Sequence, residues 1–250
     1  VPAYRRLPAG EGEAMPAHRP MYPALPAYYR EAEFQIVYFR CEPAVVQEHL
    51  PAPLEADPEG LAAAFSLRAP ACSAYGPYRE VGIRLRCAFR GVVGFYSSHQ
   101  YNDNVAAICA GRERWGGPKE YAAVEIERRG NVICAQAVKE GAAILTLTTT
   151  IERPAEAAEL IPMTPSYRLK LIPRADGPGA AIKQIITYAG ADVECAALFA
   201  GAGRVTLGRT ASSDLAALQS GETLGAYYQV LSLTEGYGEI VYDYLEEKAT

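Results

Sequence analysis

The sequence predicts a mainly β, α+β chain in a single domain: an antiparallel β-barrel or cone-like sheet decorated by a few short helices. Three observations predict it. Segments rich in β-branched and aromatic residues recur along all 250 residues. Short turns containing Gly, Asn, Asp or Pro separate them. Helical periodicity is confined to three brief segments. No repeat or linker divides the chain, so residues 29–250 read as one domain. Residues 1–28, rich in Pro and Ala, read as an extended arm.

The elements follow in order. AEFQIVYFR (32–40) is a strand built on Ile, Val, Tyr and Phe. EPAVVQEHL (42–50) starts a helix, with Pro43 in its first turn and Val45, Val46, His49 and Leu50 at helical spacing. LAAAFSLRA (61–69), GIRLRCAF (82–89) and VVGFYSS (92–98) are strands, the second alternating apolar and polar residues. NDNVAAICAGRE (102–113) is a helix capped by Asp103 or Asn104 and ending near Gly111. AAVEIERRGNVICAQAV (122–138) is a hairpin turning at Arg129-Gly130-Asn131. AAILTLTTTIE (142–152) is a long strand, and residues 166–190 hold two strands around Asp176-Gly177-Pro178-Gly179. SSDLAALQS (212–220) is a serine-capped helix, and AYYQVLSLTEGYGEIVYDYL (226–245) holds a closing pair of strands.

Composition excludes several functions. A formal net charge of −5 leaves no basic footprint for nucleic acid and no polybasic membrane anchor. No apolar run approaches the roughly 18–20 residues of a membrane helix. The N-terminus lacks the apolar core of a signal peptide. Six cysteines, at 41, 72, 87, 109, 134 and 195, are widely spaced and form no CxxC pair. They read as packing thiols in a reducing cytoplasm. His18, His49 and His99 show no metal spacing, and no metal or cofactor is expected. Nucleotide-loop and nucleophile-elbow motifs are lacking.

One residue type is scarce. The chain has nineteen arginines but five lysines. One of those five, Lys119, stands in GRERWGGPKEYA (111–122), after a Gly-Gly-Pro turn that fixes the backbone. An arginine would serve as a surface charge. Lysine alone can lose its proton and attack a carbonyl. A solvated turn lysine is the alternative reading of these residues.

YNDNVAAICAGRERWGGPKEYA (101–122) resembles the signature of the acetoacetate decarboxylase family: a Tyr-x-Asp-Asn helix start, then Gly-Arg-Glu, then Pro-Lys. FQIVYFRCEPAVVQEHLPAPLEAD (34–57), SYRLKLIPRADG (166–177) and EIVYDYLEE (239–247) extend the resemblance over residues 28–246. It implies an acetoacetate decarboxylase-like catalytic domain over 29–250, a lyase that needs no cofactor, and a homo-oligomer. It also implies that Lys119 forms a Schiff base with a ketone. Glu80, in GPYREVG, matches a family carboxylate close to that lysine. Arg30, in YYREAEF, matches the arginine associated with the substrate carboxylate if a one-residue slip is allowed; otherwise Glu31 falls there.

The sequence also departs from the family pattern. Glu120 stands where the decarboxylases carry a second lysine, and a nearby carboxylate favours the ammonium form of Lys119. Glu120 then faces away along its strand, or desolvation alone activates Lys119, or Glu120 is an acid–base group of different chemistry; a solvated strand-start glutamate is the plain alternative. A second family carboxylate is missing from residues 61–69, where Ala64 or Phe65 takes its place. His99 and Gln100 precede the helix where apolar residues are usual, and Gln100, if it faces inward, polarises a substrate oxygen. Arg112 and Glu113 read as scaffold. These departures add proton-transfer groups and remove a cation. The expected function is thus aldol condensation and dehydration of a small 2-oxo acid such as pyruvate with an aldehyde. The alternatives are decarboxylation of a 3-oxo acid such as acetoacetate, and a non-catalytic oxo-acid binding protein.

Overall fold

The computed structural model describes residues 13–218 and 221–246. The chain runs through β1 (Ala27–Arg40), helix α1 (Pro43–Glu48), β2 (Glu55–Ala56), β3 (Leu61–Ala69), β4 (Ala71–Cys72), β5 (Tyr78–Phe89) and β6 (Val92–Asn102). Helix α2 (Val105–Trp115) follows, then β7 (Lys119–Tyr121), β8 (Ala123–Arg129), β9 (Val132–Lys139), β10 (Ala142–Thr150) and β11 (Arg153–Pro154). The last part holds β12 (Ser166–Pro173), β13 (Ala180–Tyr188), β14 (Gly190–Gly201), β15 (Gly203–Leu207), β16 (Thr223–Glu235) and β17 (Glu239–Asp243).

Two sheets form. The larger has the order β11-β14-β16-β1-β3-β5-β6-β12-β13-β17, with β2, β4 and β7 attached to β5, β1 and β6. The smaller is β15-β10-β9-β8. The mostly-β, single-domain expectation holds. Closure into a barrel does not: β11 and β17 remain as edges. β11 is only two residues long and contains Pro154, which has no N–H to extend a ladder. Nor is the large sheet wholly antiparallel, because β6 pairs in parallel with both β7 and β12.

Alternation along the strands makes the layers. Val81, Ile83, Leu85 and Cys87 of β5 face a core shared with Val124, Ala135, Ala137, Leu145 and Leu147 of the smaller sheet. The opposite face of β5 carries Glu80, Gly82 and Arg84. That face looks toward a second apolar cluster, in which α2 packs Ala107, Ala110 and Trp115 against Tyr29, Leu67 and Tyr78. With both faces covered, β3 is buried at every position except Arg68.

Turn chemistry matches the sequence where it was readable. The β8–β9 hairpin turns at Gly130 (φ +63°), which only glycine adopts without strain. Three expectations shift. The segment 212–220 contains a single 3-10 turn, Leu215–Leu218, among its described residues. The two closing strands are not partners: β16 pairs with β1 and β14, and β17 with β13. Residues 13–26 of the expected arm are mostly exposed but anchored to the domain at Ala14 and Tyr22, which are buried, the Tyr22 hydroxyl donating to Glu113. Residues 1–12 of that arm lie outside the described residues.

Candidate active site

The loop that carries Lys119 is shaped by its glycines. The Asn104 side chain caps α2 by accepting from the Ala107 N–H at 3.1 Å. Asp103 instead pairs with Arg79 at 2.8 Å. The helix runs past Gly111 to Trp115 and stops at Gly116 in the left-handed conformation, φ +69°. Gly111 is no terminator; it is a gap. A Cβ there would sit 2.7 Å from Cδ and Cε of Lys119. Behind the lysine, the Arg112 guanidinium donates to the Lys119 carbonyl at 3.0 Å. Thus Arg112 is scaffold, as its motif suggested.

Three neighbouring strands converge on one carboxylate. β7 aligns Lys119 beside Gln100 of β6, and β5 aligns Gly82 with Gln100 and Glu80 with Asn102. Lys119 Nζ lies 2.7 Å from Glu80 Oε2, with side chains 11% and 4% exposed. Gln100 Nε2 donates to Glu80 Oε1 at 2.7 Å, and Asn102 Nδ2 to Oε2 at 2.9 Å. Burial alone would raise the Glu80 pKa. The Lys119 ammonium, hydrogen bonds from Lys119 and Asn102, and the charge of Arg168 outweigh it and hold the carboxyl below its ordinary range. Gly82 lets the strands close: a Cβ there would lie 2.4 Å from the His99 carbonyl oxygen.

Lys119, Glu80 and Gln100 all line a cavity of about 260 Å³. Its walls come from β14, β16, β1, β3, β5, β6, β12 and β13, consecutive in the large sheet, so the sheet curls around it without closing. Phe65 stands in the wall, and Ala64 faces the inter-sheet core. The strand position of the missing carboxylate is therefore occupied by a ring. A second carboxylate nevertheless reaches the cavity from β16. Glu235 accepts from the hydroxyls of Tyr75 at 3.2 Å and Tyr29 at 3.3 Å, and Tyr29 is 2.9 Å from the Tyr78 hydroxyl. Burial pushes the Tyr29, Tyr75, Tyr78 and Tyr188 phenols up, so they remain proton donors at neutral pH. Arg84 and Arg168 complete the polar lining. Sequence reasoning named neither the arginines nor Glu235.

Two expected site residues lie elsewhere. Arg30 is exposed and does not line the cavity; alternation along β1 turns its neighbour Tyr29 inward instead. Glu31 is exposed as well. Glu120 is exposed and pairs with Lys139. It follows Lys119 on β7, and successive side chains face opposite ways. The same alternation separates Gln100, inward, from His99, whose ring lies 6.1 Å from that of His49. Burial first, and then His49, lower the His99 pKa to about 4, against a rise from Glu120.

The sequence profile described as acetoacetate decarboxylase matches residues 14–245. The chain belongs to the acetoacetate decarboxylase family. It is therefore an enzyme of a lyase family. Acetoacetate decarboxylase 2 of Mesorhizobium japonicum is 30% identical over 237 residues, spanning 93% of this chain and 89% of that protein. The crystal structure of acetoacetate decarboxylase from Legionella pneumophila superposes with a TM-score of 0.86 at 25% identity, covering 96% of this chain and 100% of that one. The enduracididine biosynthesis enzyme MppR, solved in complex with pyruvate, shares the fold with a TM-score of 0.81 at 18% identity, covering 93% and 98%. Among the described residues, no helix is long and apolar enough to cross a membrane.

Proposed function

We propose that this family member is a lysine Schiff-base enzyme that condenses a small 2-oxo acid, such as pyruvate, with an aldehyde and then dehydrates the adduct. The observation that carries the reading is the buried Lys119–Glu80 pair, 2.7 Å apart at a cavity wall. A free lysine titrates near ~10.4, so about one in a few thousand is neutral at pH 7. The pair offers a local route. The proton passes from Nζ to Glu80 across the existing hydrogen bond, leaving an amine and a carboxylic acid, with no charge left on either buried group. The amine adds to the ketone, and Glu80 returns the proton to the oxygen that leaves as water. Ammonium plus ketone thus becomes iminium plus water, with no outside acid. The ionised Glu80 then stabilises the iminium, while Gln100 and Asn102 hold it in register.

The iminium draws electrons from the adjacent carbon, which loses a proton to give an enamine. The enamine carbon bonds to the aldehyde carbon, and the proton it lost goes to the aldehyde oxygen. A second proton then leaves the same carbon, and the hydroxyl, taking up a proton, departs as water. These transfers from carbon to oxygen need a group that is not engaged with Lys119. Glu235 supports that role: it accepts the carbon's proton and passes it on through Tyr29 or Tyr75. Hydrolysis of the imine frees an unsaturated oxo acid. Neither Arg30 nor Glu120 enters this scheme.

A second reading is decarboxylation of a 3-oxo acid through the same iminium, with carbon dioxide rather than a proton departing. The 30% identity to proteins named acetoacetate decarboxylase favours it. Cyanoborohydride trapping with mass spectrometry tests both. A pyruvyl adduct on Lys119, together with consumption of an aldehyde, supports condensation. An acetone-derived adduct from acetoacetate, above spontaneous decarboxylation, supports the second reading. No adduct with either would sink the Schiff-base proposal. A homo-oligomer in a reducing cytoplasm belongs to the same reading; the six cysteines are free thiols. A monomer mass by light scattering removes the first half of that statement.

A further inference from the structure

Among the described residues, seven buried side-chain polar atoms lack a hydrogen-bond partner. Five belong to residues lining the one cavity: Arg84 Nε, Gln100 Oε1, Trp115 Nε1, Ser166 Oγ and Arg168 Nε. Buried polar atoms are normally paired, so such a concentration marks a place that completes itself with a ligand. The chemistry of the set says which kind. Two of the five atoms belong to guanidiniums, two more are an indole N–H and a hydroxyl, and one is an acceptor. An anion suits this set.

Glu80 feels the charge of both cations but makes no ion pair with either. Glu80 is engaged by Lys119, Gln100 and Asn102. Glu235 is engaged by tyrosines. Neither Arg84 nor Arg168 makes an ion pair among the described residues. Each guanidinium is held by a ring instead: Arg84 Cζ is 4.9 Å from the centre of Phe65, and Arg168 Cζ 4.7 Å from that of Tyr188. A ring satisfies the charge without taking a hydrogen bond, and the Nε of each guanidinium stays unpartnered. Burial first, and then the charge of Arg168, draw the Arg84 pKa down to about 10, against a rise from Glu80, Tyr188 and Tyr38.

We propose that Arg84 and Arg168 form a paired guanidinium clamp for the substrate carboxylate, and that this carboxylate is retained in the product. Resting on the Schiff-base reading, this names the groups that select an oxo acid over a neutral ketone. Planar guanidiniums suit bidentate carboxylate binding. A carboxylate so held is stabilised as an anion. Losing it as carbon dioxide forfeits those bonds before the transition state, which works against decarboxylation. The clamp thus directs the iminium to give up a proton.

The test separates the clamp from the imine. Lactate carries the carboxylate of pyruvate but no ketone, and lactamide is its neutral counterpart. Calorimetric titration of the wild-type protein is expected to show lactate binding at least about tenfold more tightly than lactamide, in line with a charge-assisted contact. Arg84→Met and Arg168→Met are each expected to remove most of that preference, and the corresponding lysine variants to restore part of it. Equal affinity in the wild type, no lactate binding, or a preference that survives both methionine variants overturns the clamp. The wild-type comparison decides even if a variant does not fold. Retention is read by trapping: pyruvate and acetoacetate are expected to give Lys119 adducts that keep their carboxylates. An acetone-derived adduct overturns retention. If no carbonyl compound is trapped, the Schiff-base reading fails while the lactate titration still decides the clamp.

Discussion

Lys119 and Glu80 lie 2.7 Å apart with little exposure to solvent, so the proposed scheme cancels charge within the pair by one short proton transfer. Lys119→Arg keeps the cation and the pair but has no nucleophilic amine. It is expected to fold with near wild-type stability and to give no reducible adduct, measured by mass after cyanoborohydride. Glu80→Ala leaves a buried ammonium unpaired and is expected to cost roughly 3–5 kcal/mol in denaturant unfolding. The pair also carries a pH signature. The Glu80 carboxyl titrates below its ordinary value of 4.5 in the folded protein. Its contribution is complete above the unfolded carboxyl pKa and is lost as pH falls through the lower folded value. Unfolding free energy of the wild type is therefore expected to drop more steeply below about pH 4.5 than that of Glu80→Gln. Parallel curves would mean that the pair does not set the acid limb.

Around the lysine, helix α2 and the turn after it act as one positioning element. Gly116 needs its left-handed conformation, but Gly111 has ordinary helical geometry and matters only because the lysine stem lies across it. That distinction yields a selective prediction. In Gly111→Ala the new methyl meets the flexible end of Lys119, at 2.7 Å, rather than backbone. The side chain moves aside, so stability is expected to change by less than about 1 kcal/mol. The amine leaves its carboxylate, and misplacement by about 1 Å is expected to slow adduct formation by roughly 100-fold. Equal losses of stability and trapping rate would show that the glycine serves only packing. The same element shows what a sequence can disclose. Lys119, Glu80 and Gln100 were legible because their motifs are local and each faces inward through strand alternation. The helix end was misjudged because Gly111 looks like a stop signal, and nothing in the local pattern reveals that another side chain fills its missing Cβ. Arg30 was misplaced for a related reason. A one-residue slip on a strand reverses the face, and the structure turns Tyr29 inward instead.

Across the whole molecule, the cavity joins residues that no local pattern connects. Glu235 lies 206 residues after Tyr29, yet their side chains meet because β1 pairs with β16 and the large sheet curls. In the sequence it is one glutamate in LTEGYGE, beside a turn, and a solvated charge is the ordinary reading there. The absence of a carboxylate from β3 was legible; its supply from β16 was not, because sheet order is set by long-range pairing. This division of the site predicts a division of labour. Glu235→Gln keeps the size and can still accept from Tyr29 and Tyr75, but it cannot take a proton at neutral pH. In the proposed scheme imine formation uses Lys119 and Glu80 alone, so the variant is expected to be trapped by pyruvate and cyanoborohydride at a wild-type rate. Exchange of the pyruvate methyl hydrogens with deuterated solvent, which reports enamine formation, is expected to fall by about 100–10,000-fold, the usual contribution of a positioned base. Unchanged exchange would return the proton transfer to Glu80 and leave Glu235 as an anchor for the tyrosines. Parallel loss of trapping and exchange would mean that the β16 carboxylate supports the pocket as a whole.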